Sequence, residues 1–221
     1  MTFGDLFERA ARYDVDEDAV RAALVDRRSD GDGETNENDA EDGEEATHDA
    51  SSSDRDPSPA RVVADADVLA ADLLVGGPAR DALDALRSHS WTALVASDPL
   101  LDDAESVIAS LADAALAADW RTAIEAWRVP IAHPADDHPA LASAYRGAAM
   151  QVVSLDPSLT GPRAAAGLRD RLPVSVREPR AFAVVFSPAK LYPEAVGGEY
   201  PGPDRDPRSM APLRSDGDQH G

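Results

Sequence analysis

The sequence contains no cysteine, which excludes disulfides, zinc ribbons and thiol nucleophiles together. Lysine occurs once, at Lys190, so positive charge rests almost wholly on 20 arginines, set against 30 Asp and 12 Glu. The net charge of −21 and pI near 4.4 disfavour attachment to membranes or polyanions by bulk charge. No apolar run is long enough to cross a bilayer, and the start, Met1-Thr2-Phe3-Gly4-Asp5, lacks the basic-then-apolar pattern of a signal peptide. A cytoplasmic protein is the expectation. The five histidines (His48, His89, His133, His138, His220) show no paired ligand spacing. Any metal must then rest on carboxylates, which favours a hard ion such as magnesium or manganese.

What is present is an Asp-rich surface suited to high salt, and 43% hydrophobic residues, enough for a core. Between Ser29 and Ala60 stand 12 acids, one basic residue and almost nothing apolar, a stretch that reads as a disordered, charge-extended linker. Before it, Phe3, Leu6, Phe7 and Ala10, then Val20, Ala23 and Leu24, repeat at helical spacing. These predict a helical hairpin over residues 1–28, either an accessory packing on the main domain or on a second copy, or a module that docks a protein partner or nucleic acid.

After the linker, short apolar runs alternate with amphipathic stretches, the pattern of an α/β fold around a central parallel sheet of about five strands. Strands are expected at 61–64, 92–96, 129–132, 151–154 and 174–177. Helices are expected at 67–74, 79–88, 100–117, 120–127, 139–146, 162–171 and 179–186. This domain spans 61–190, and the Pro-rich and Gly-rich residues 191–221 read as a tail.

The acids fall in a pattern relative to these elements. Asp65 closes the first strand and Asp156 follows the fourth, while Asp102-Asp103 and Asp136-Asp137 lie in the first turns of the helices after the second and third. All four positions belong to the carboxyl edge of a parallel sheet, where ligands bind in doubly wound folds. Like charges so gathered need a compensating cation, which suggests a divalent metal site; the same acids also suit ordinary helix capping.

Motifs here resemble those of PIN-domain nucleases. Asp65-Ala66-Asp67-Val68-Leu69 is similar to the family's opening motif, Asp137-His138-Pro139-Ala140-Leu141-Ala142-Ser143-Ala144 to its third-acid helix, and Gly147 to Asp156 to the strand ending in its fourth acid. Glu178-Pro179-Arg180-Ala181-Phe182 resembles its C-terminal Pro and Phe step. The resemblance covers about residues 61–186, and the composition resembles that of haloarchaeal proteins. It implies a three-layer α/β/α PIN-like fold and a metal-dependent ribonuclease in which Asp65, Asp103, Asp137 and Asp156 hold magnesium or manganese against RNA, with Asp67, Asp102 and Asp136 as further ligands. Spacing after the second strand favours Asp103 as the second acid, with Asp102 or Glu105 as substitutes. Ser154 matches the family's usual Thr or Ser and would orient a ligand or phosphate, or bond backbone in its turn.

Between Gly161 and Arg180, five arginines (Arg163, Arg169, Arg171, Arg177, Arg180) outnumber two acids. They are candidates for phosphate contact, or for ion pairs with neighbouring Asp. Trp120 and Trp127, seven apart, read as core or dimer packing, and His133 and His138 as solvated or capping, or as assistants to a metal or leaving group. The competing readings are a catalytically weak PIN-fold scaffold for RNA or protein, and a phosphatase acting on a small phosphoester.

Overall fold

A computed structural model describes residues 1–31, 56–134, 137–161 and 174–213. The Val-rich and Ala-rich runs form five parallel strands: β1 (Ser58–Ala64), β2 (Ala93–Ser97), β3 (Arg128–Ile131), β4 (Ala149–Val153) and β5 (Ser175–Arg177). Their order is β3-β2-β1-β4-β5. Winding runs outward from β1 through β2 to β3, then returns to β4 on the other side of β1. Right-handed crossovers put the helices of the two halves on opposite faces, giving three α/β/α layers.

On the outward path lie α3 (Ala66–Leu74), α4 (Gly77–Arg87), α5 (Asp98–Leu111) and α6 (Ala114–Glu125). On the return path, α7 (Pro139–Arg146) packs against β1, β2 and β4. Gly147 closes α7 so near the sheet that a Cβ there would stand 2.3 Å from Val95 Cγ1. A short turn, α8 (Pro157–Thr160), follows β4, and α9 (Pro179–Val185) packs on α4. The core is the inner surface of these layers, with Val62, Val63, Leu69, Leu94, Val95, Leu100, Ile108, Val152 and Val153 all buried.

Two helices precede the sheet. Thr2 and Asp5 form a reciprocal capping box for α1 (Phe3–Ala10), and Asp16 accepts from Ala19 N–H at the start of α2 (Glu17–Gly31). Their apolar stripe, Phe3, Leu6, Phe7, Ala10, Val20 and Leu24, joins the main core. α1 rests on α3 and α6, and α2 on α3 and α5. The aromatic rings of α1 cover two cations: Arg80 Cζ, half-buried, lies 3.8 Å from the Phe7 ring centre and Arg87 Cζ, buried, 4.4 Å from that of Phe3.

Several expected boundaries shift for local reasons. Most of the acidic linker lies outside the described residues, but α2 runs on to Gly31, and β1 starts three residues early because Ser58 N–H donates to Ala148 O. The helices expected at 100–117 and 120–127 are instead broken at Ala112, because the Asp113 side chain caps Leu116 N–H. The expected tail is structured through Leu213. It contains α10 (Pro188–Ala195), and Tyr192 and Tyr200 pack on Trp91 and His89, while Asp204 accepts from Ser90. The helix expected at 162–171 lies outside the described residues.

Trp120 and Trp127 both pack within the chain: Trp120 is buried in the core and Trp127 meets the Phe3 ring edge-on at 5.9 Å. No helix among the described residues is long and apolar enough to cross a membrane.

Candidate functional site

The winding reverses between β1 and β4, and in such sheets the crevice at the carboxyl ends of those strands is where ligands bind. Asp65 stands at the end of β1, locked to β4 by Asp65 N–H donating to Val153 O at 2.8 Å. Ser154 and Asp156 follow β4. Ser154 is fully buried, and its hydroxyl reaches Asp65 Oδ2 at 3.0 Å and Asp67 Oδ2 at 3.4 Å. It therefore acts on the carboxylates from beneath, and its Oγ accepts from Asp156 N–H at 3.0 Å, the backbone bond of its turn.

Asp67 is turned inward. Its oxygens accept from Val68 N–H at 2.6 Å and Leu155 N–H at 3.0 Å. Burial, and next the charge of Asp65, push its carboxyl well above the ordinary carboxylate range. Ser154 has one hydroxyl proton for two neighbouring carboxyl oxygens, and Asp65 is the nearer of the two. Asp67 thus braces the floor beneath Asp65.

The three candidates for the second acid all lie on α5. Ser97 and Pro99 start α5 at Asp98, so residues 102 and 103 fall in the second turn and not the first. There they diverge. Asp103 turns inward, its side chain 13% exposed, while Asp102 pairs with Arg121 at 2.6 Å on the outer surface beside Glu105. Asp102 and Glu105 thus face Arg121, while Asp103 faces Arg28.

Between Asp65 and Asp103 sits a residue absent from the expected site: Arg28, from the last turns of α2. Its Nη2 donates to Asp65 Oδ1 at 3.0 Å and its Nε to Asp103 Oδ2 at 3.1 Å. Its Nη1 lies 3.5 Å from His138 Nε2. Burial alone would lower this guanidinium, but the charge of Asp65 and the hydrogen bonds to Asp103 and Asp65 outweigh it and hold it above its ordinary value. Arg27 adds a longer contact to Asp103, 3.7 Å. A sequence signal existed: positions 20, 24 and 28 share a helix face, and Val20 and Leu24 are buried, so an arginine at 28 had to find a buried anion.

His138 is neither solvated nor a side-chain cap. It is half-buried at the start of α7, and burial lowers its imidazole below the usual value. Its Nε2 faces Arg28, and its Nδ1 is buried without a hydrogen-bond partner. His133 bonds Ser97 Oγ at 2.9 Å instead.

The remaining candidates are dispersed. Asp137 is exposed in the loop ahead of α7, not in its first turn. Asp156 caps α8 through Ser158 and lines a cavity of about 250 Å³ together with Arg28, Asp67, Arg21, Leu24 and Pro157. Arg177 donates to Gln151 at 2.6 Å, and Arg180 is exposed on α9. Asp136, Arg163, Arg169 and Arg171 lie outside the described residues.

Among the described residues no group of three or more His, Asp or Glu side chains is placed to hold a metal ion. The donor set still suits one kind of ion. Asp65 and Asp103 each turn a hard oxygen to the Arg28 guanidinium, on different nitrogens, and magnesium commonly uses one or two carboxylates, keeping water or phosphate oxygens elsewhere.

The fold and site define an α/β protein with carboxylates gathered at the switch point of a parallel sheet. The chain belongs to DUF7384, a family of unknown function, whose model matches residues 56–208. That span holds Asp65, Asp103, Asp137, Ser154 and Asp156 and begins after Arg28. No curated protein and no solved structure matches the chain.

Proposed function

We propose that this protein is a PIN-like, magnesium- or manganese-dependent ribonuclease of haloarchaeal, cytoplasmic type. The observation that carries the reading is the convergence of Asp65 and Asp103, from two different elements, on one position held by positive charge. A fully buried carboxylate and a largely buried one, paired with the same guanidinium, favour a cation there, and the motifs around Asp65, Asp137 and Asp156 supply the resemblance from which RNA is proposed as substrate. Asp65 and Asp103 would hold the ion, with Asp156 and Asp137 at the same edge nearer solvent. A bound divalent ion would activate water and offset charge developing on the phosphate. The chain's own part is orientation: Ser154 fixes Asp65, and Asp67 keeps the floor of the site neutral. Arg180 is a candidate phosphate contact, joined by Arg163 and Arg169.

The test is incubation of the full chain with a pool of single-stranded and structured RNA in molar KCl with manganese, beside an Asp65→Asn/Asp103→Asn variant. Cleavage by wild type that the variant lacks is expected. RNA or protein binding without cleavage would favour a second reading, a catalytically weak scaffold, for which Arg28 neutralising the acids already speaks. Turnover of a small phosphoester alone would indicate a phosphatase.

A further inference from the structure

We infer that Arg28 is a built-in counter-cation that competes with the divalent ion for Asp65 and Asp103, so that the α1–α2 hairpin restrains the site until the guanidinium is displaced. The inference rests on the reading of these carboxylates as metal ligands, and it assigns a regulatory role to a segment outside the family match.

Three observations support it. The first is position: Arg28 uses separate nitrogens, 3.0 and 3.1 Å from the two carboxylates, so it occupies the oxygens that would hold an ion. A guanidinium and a metal ion cannot share that space. The second is anchoring. α1 is fixed by Phe3 and Phe7 over Arg87 and Arg80, and α2 by buried Val20 and Leu24, so Arg28 is delivered by a docked element. The hairpin need not detach for the arginine to leave. The third is somewhere to go: the Arg28 side chain is 27% exposed and borders the 250 Å³ cavity whose wall includes Asp156. A rotation of its long stem can carry the charge from Asp65 towards Asp156, opening the position between Asp65 and Asp103. The barrier is then a side-chain exchange driven by an ion, with no unfolding.

The gate also fits the charge balance. An arginine in place keeps Asp65, which is fully buried, from standing as an uncompensated charge when no ion is bound. His138, facing the same guanidinium, gains a freed Nε2 when Arg28 moves.

The experiment measures manganese binding to the full chain in molar KCl, by the loss of the free-ion electron paramagnetic resonance signal, for wild type, Arg28→Ala, Arg28→Lys and each combined with Asp65→Asn. Arg28→Ala should bind manganese at least about tenfold more tightly than wild type, with Arg28→Lys between, because an ammonium keeps a charge without bridging two carboxylates. Asp65→Asn should remove the tight site in every background. Circular dichroism checks the fold, and if Arg28→Ala fails to fold the Lys variant alone decides. Equal, Asp65-dependent affinity in wild type and both variants would overturn the gate while leaving the metal reading intact. No Asp65-dependent binding in any protein would overturn the metal reading and the gate with it.

Discussion

Arg87→Leu tests how the hairpin is held. Arg87 is 0% exposed, pairs with Asp72, itself 1% exposed, and donates to Asp84 at 2.7 Å. Phe3, Trp127 and Phe7 lie over the guanidinium at 4.4, 5.0 and 5.4 Å. Removing one partner of a buried pair costs about 3–5 kcal/mol, because the survivor is left as an uncompensated buried charge. Here Arg80 stands 4.0 Å from Asp72 and offsets part of that, so about 3 kcal/mol is expected for Arg87→Leu. Asp72→Asn should cost less, since Asp84 remains for Arg87. In the double variant no charge is stranded, and the two losses should fall short of additive by roughly 1–3 kcal/mol. Urea unfolding in molar KCl, followed by circular dichroism, measures all three, and an uncharged denaturant keeps screening constant. Hydrogen exchange in α1 should quicken in Arg87→Leu before global unfolding, because the rings of Phe3 and Phe7 lose their seat. A cost below about 1 kcal/mol, or a coupling indistinguishable from zero, would refute the argument that this pair is dry and that α1 rests on it.

Gly147→Ala should lose roughly 1–3 kcal/mol by overpacking, since its new Cβ would meet Val95 Cγ1 at 2.3 Å and Ser143 O at 2.8 Å; an unchanged unfolding midpoint would show that α7 can lift from the sheet at no cost. For Asp67 the folded carboxyl is raised, so the fold keeps a proton that the unfolded chain releases, and the associated stability is present in acid and lost as pH rises above the ordinary Asp range. In metal-free buffer Asp67→Asn therefore gains on wild type between acid and neutral pH, about 1.4 kcal/mol for each unit of displacement, over a constant loss for the acceptor of Leu155 N–H. Parallel stability curves would mean that Asp67 is ionised in the fold.

The sheet was legible because each strand is a short apolar run followed by a helical period, and burial on both faces demands that composition. Asp65 and Asp103 followed from it as candidates, one by its place directly after an apolar run, the other by its spacing after the next such run together with the family resemblance. The segment 191–213 was misread for the opposite reason. Its Pro and Gly content forbids regular structure over much of its length, yet order there comes from side chains meeting distant partners, Tyr200 on His89 and Met210 on the core. Local composition reports local backbone preference and is silent about such contacts.

Arg28 lies between these cases. The helical period that identified Val20 and Leu24 as core residues extends without a break to position 28, so the sequence did place a charge on the buried face. What it could not supply was the identity of the anion, 37 residues away at Asp65 and 75 away at Asp103, beyond an acidic segment full of other carboxylates. The two facts constrain each other physically. A largely buried guanidinium is favoured beside carboxylates, and a fully buried carboxylate such as Asp65 is favoured beside a cation. Each explains why the other survives folding. A chain with 42 acids in which one arginine reaches the buried pair has therefore selected among its many possible ion pairs by burial rather than by charge, which in molar salt is the only selection that screening leaves strong.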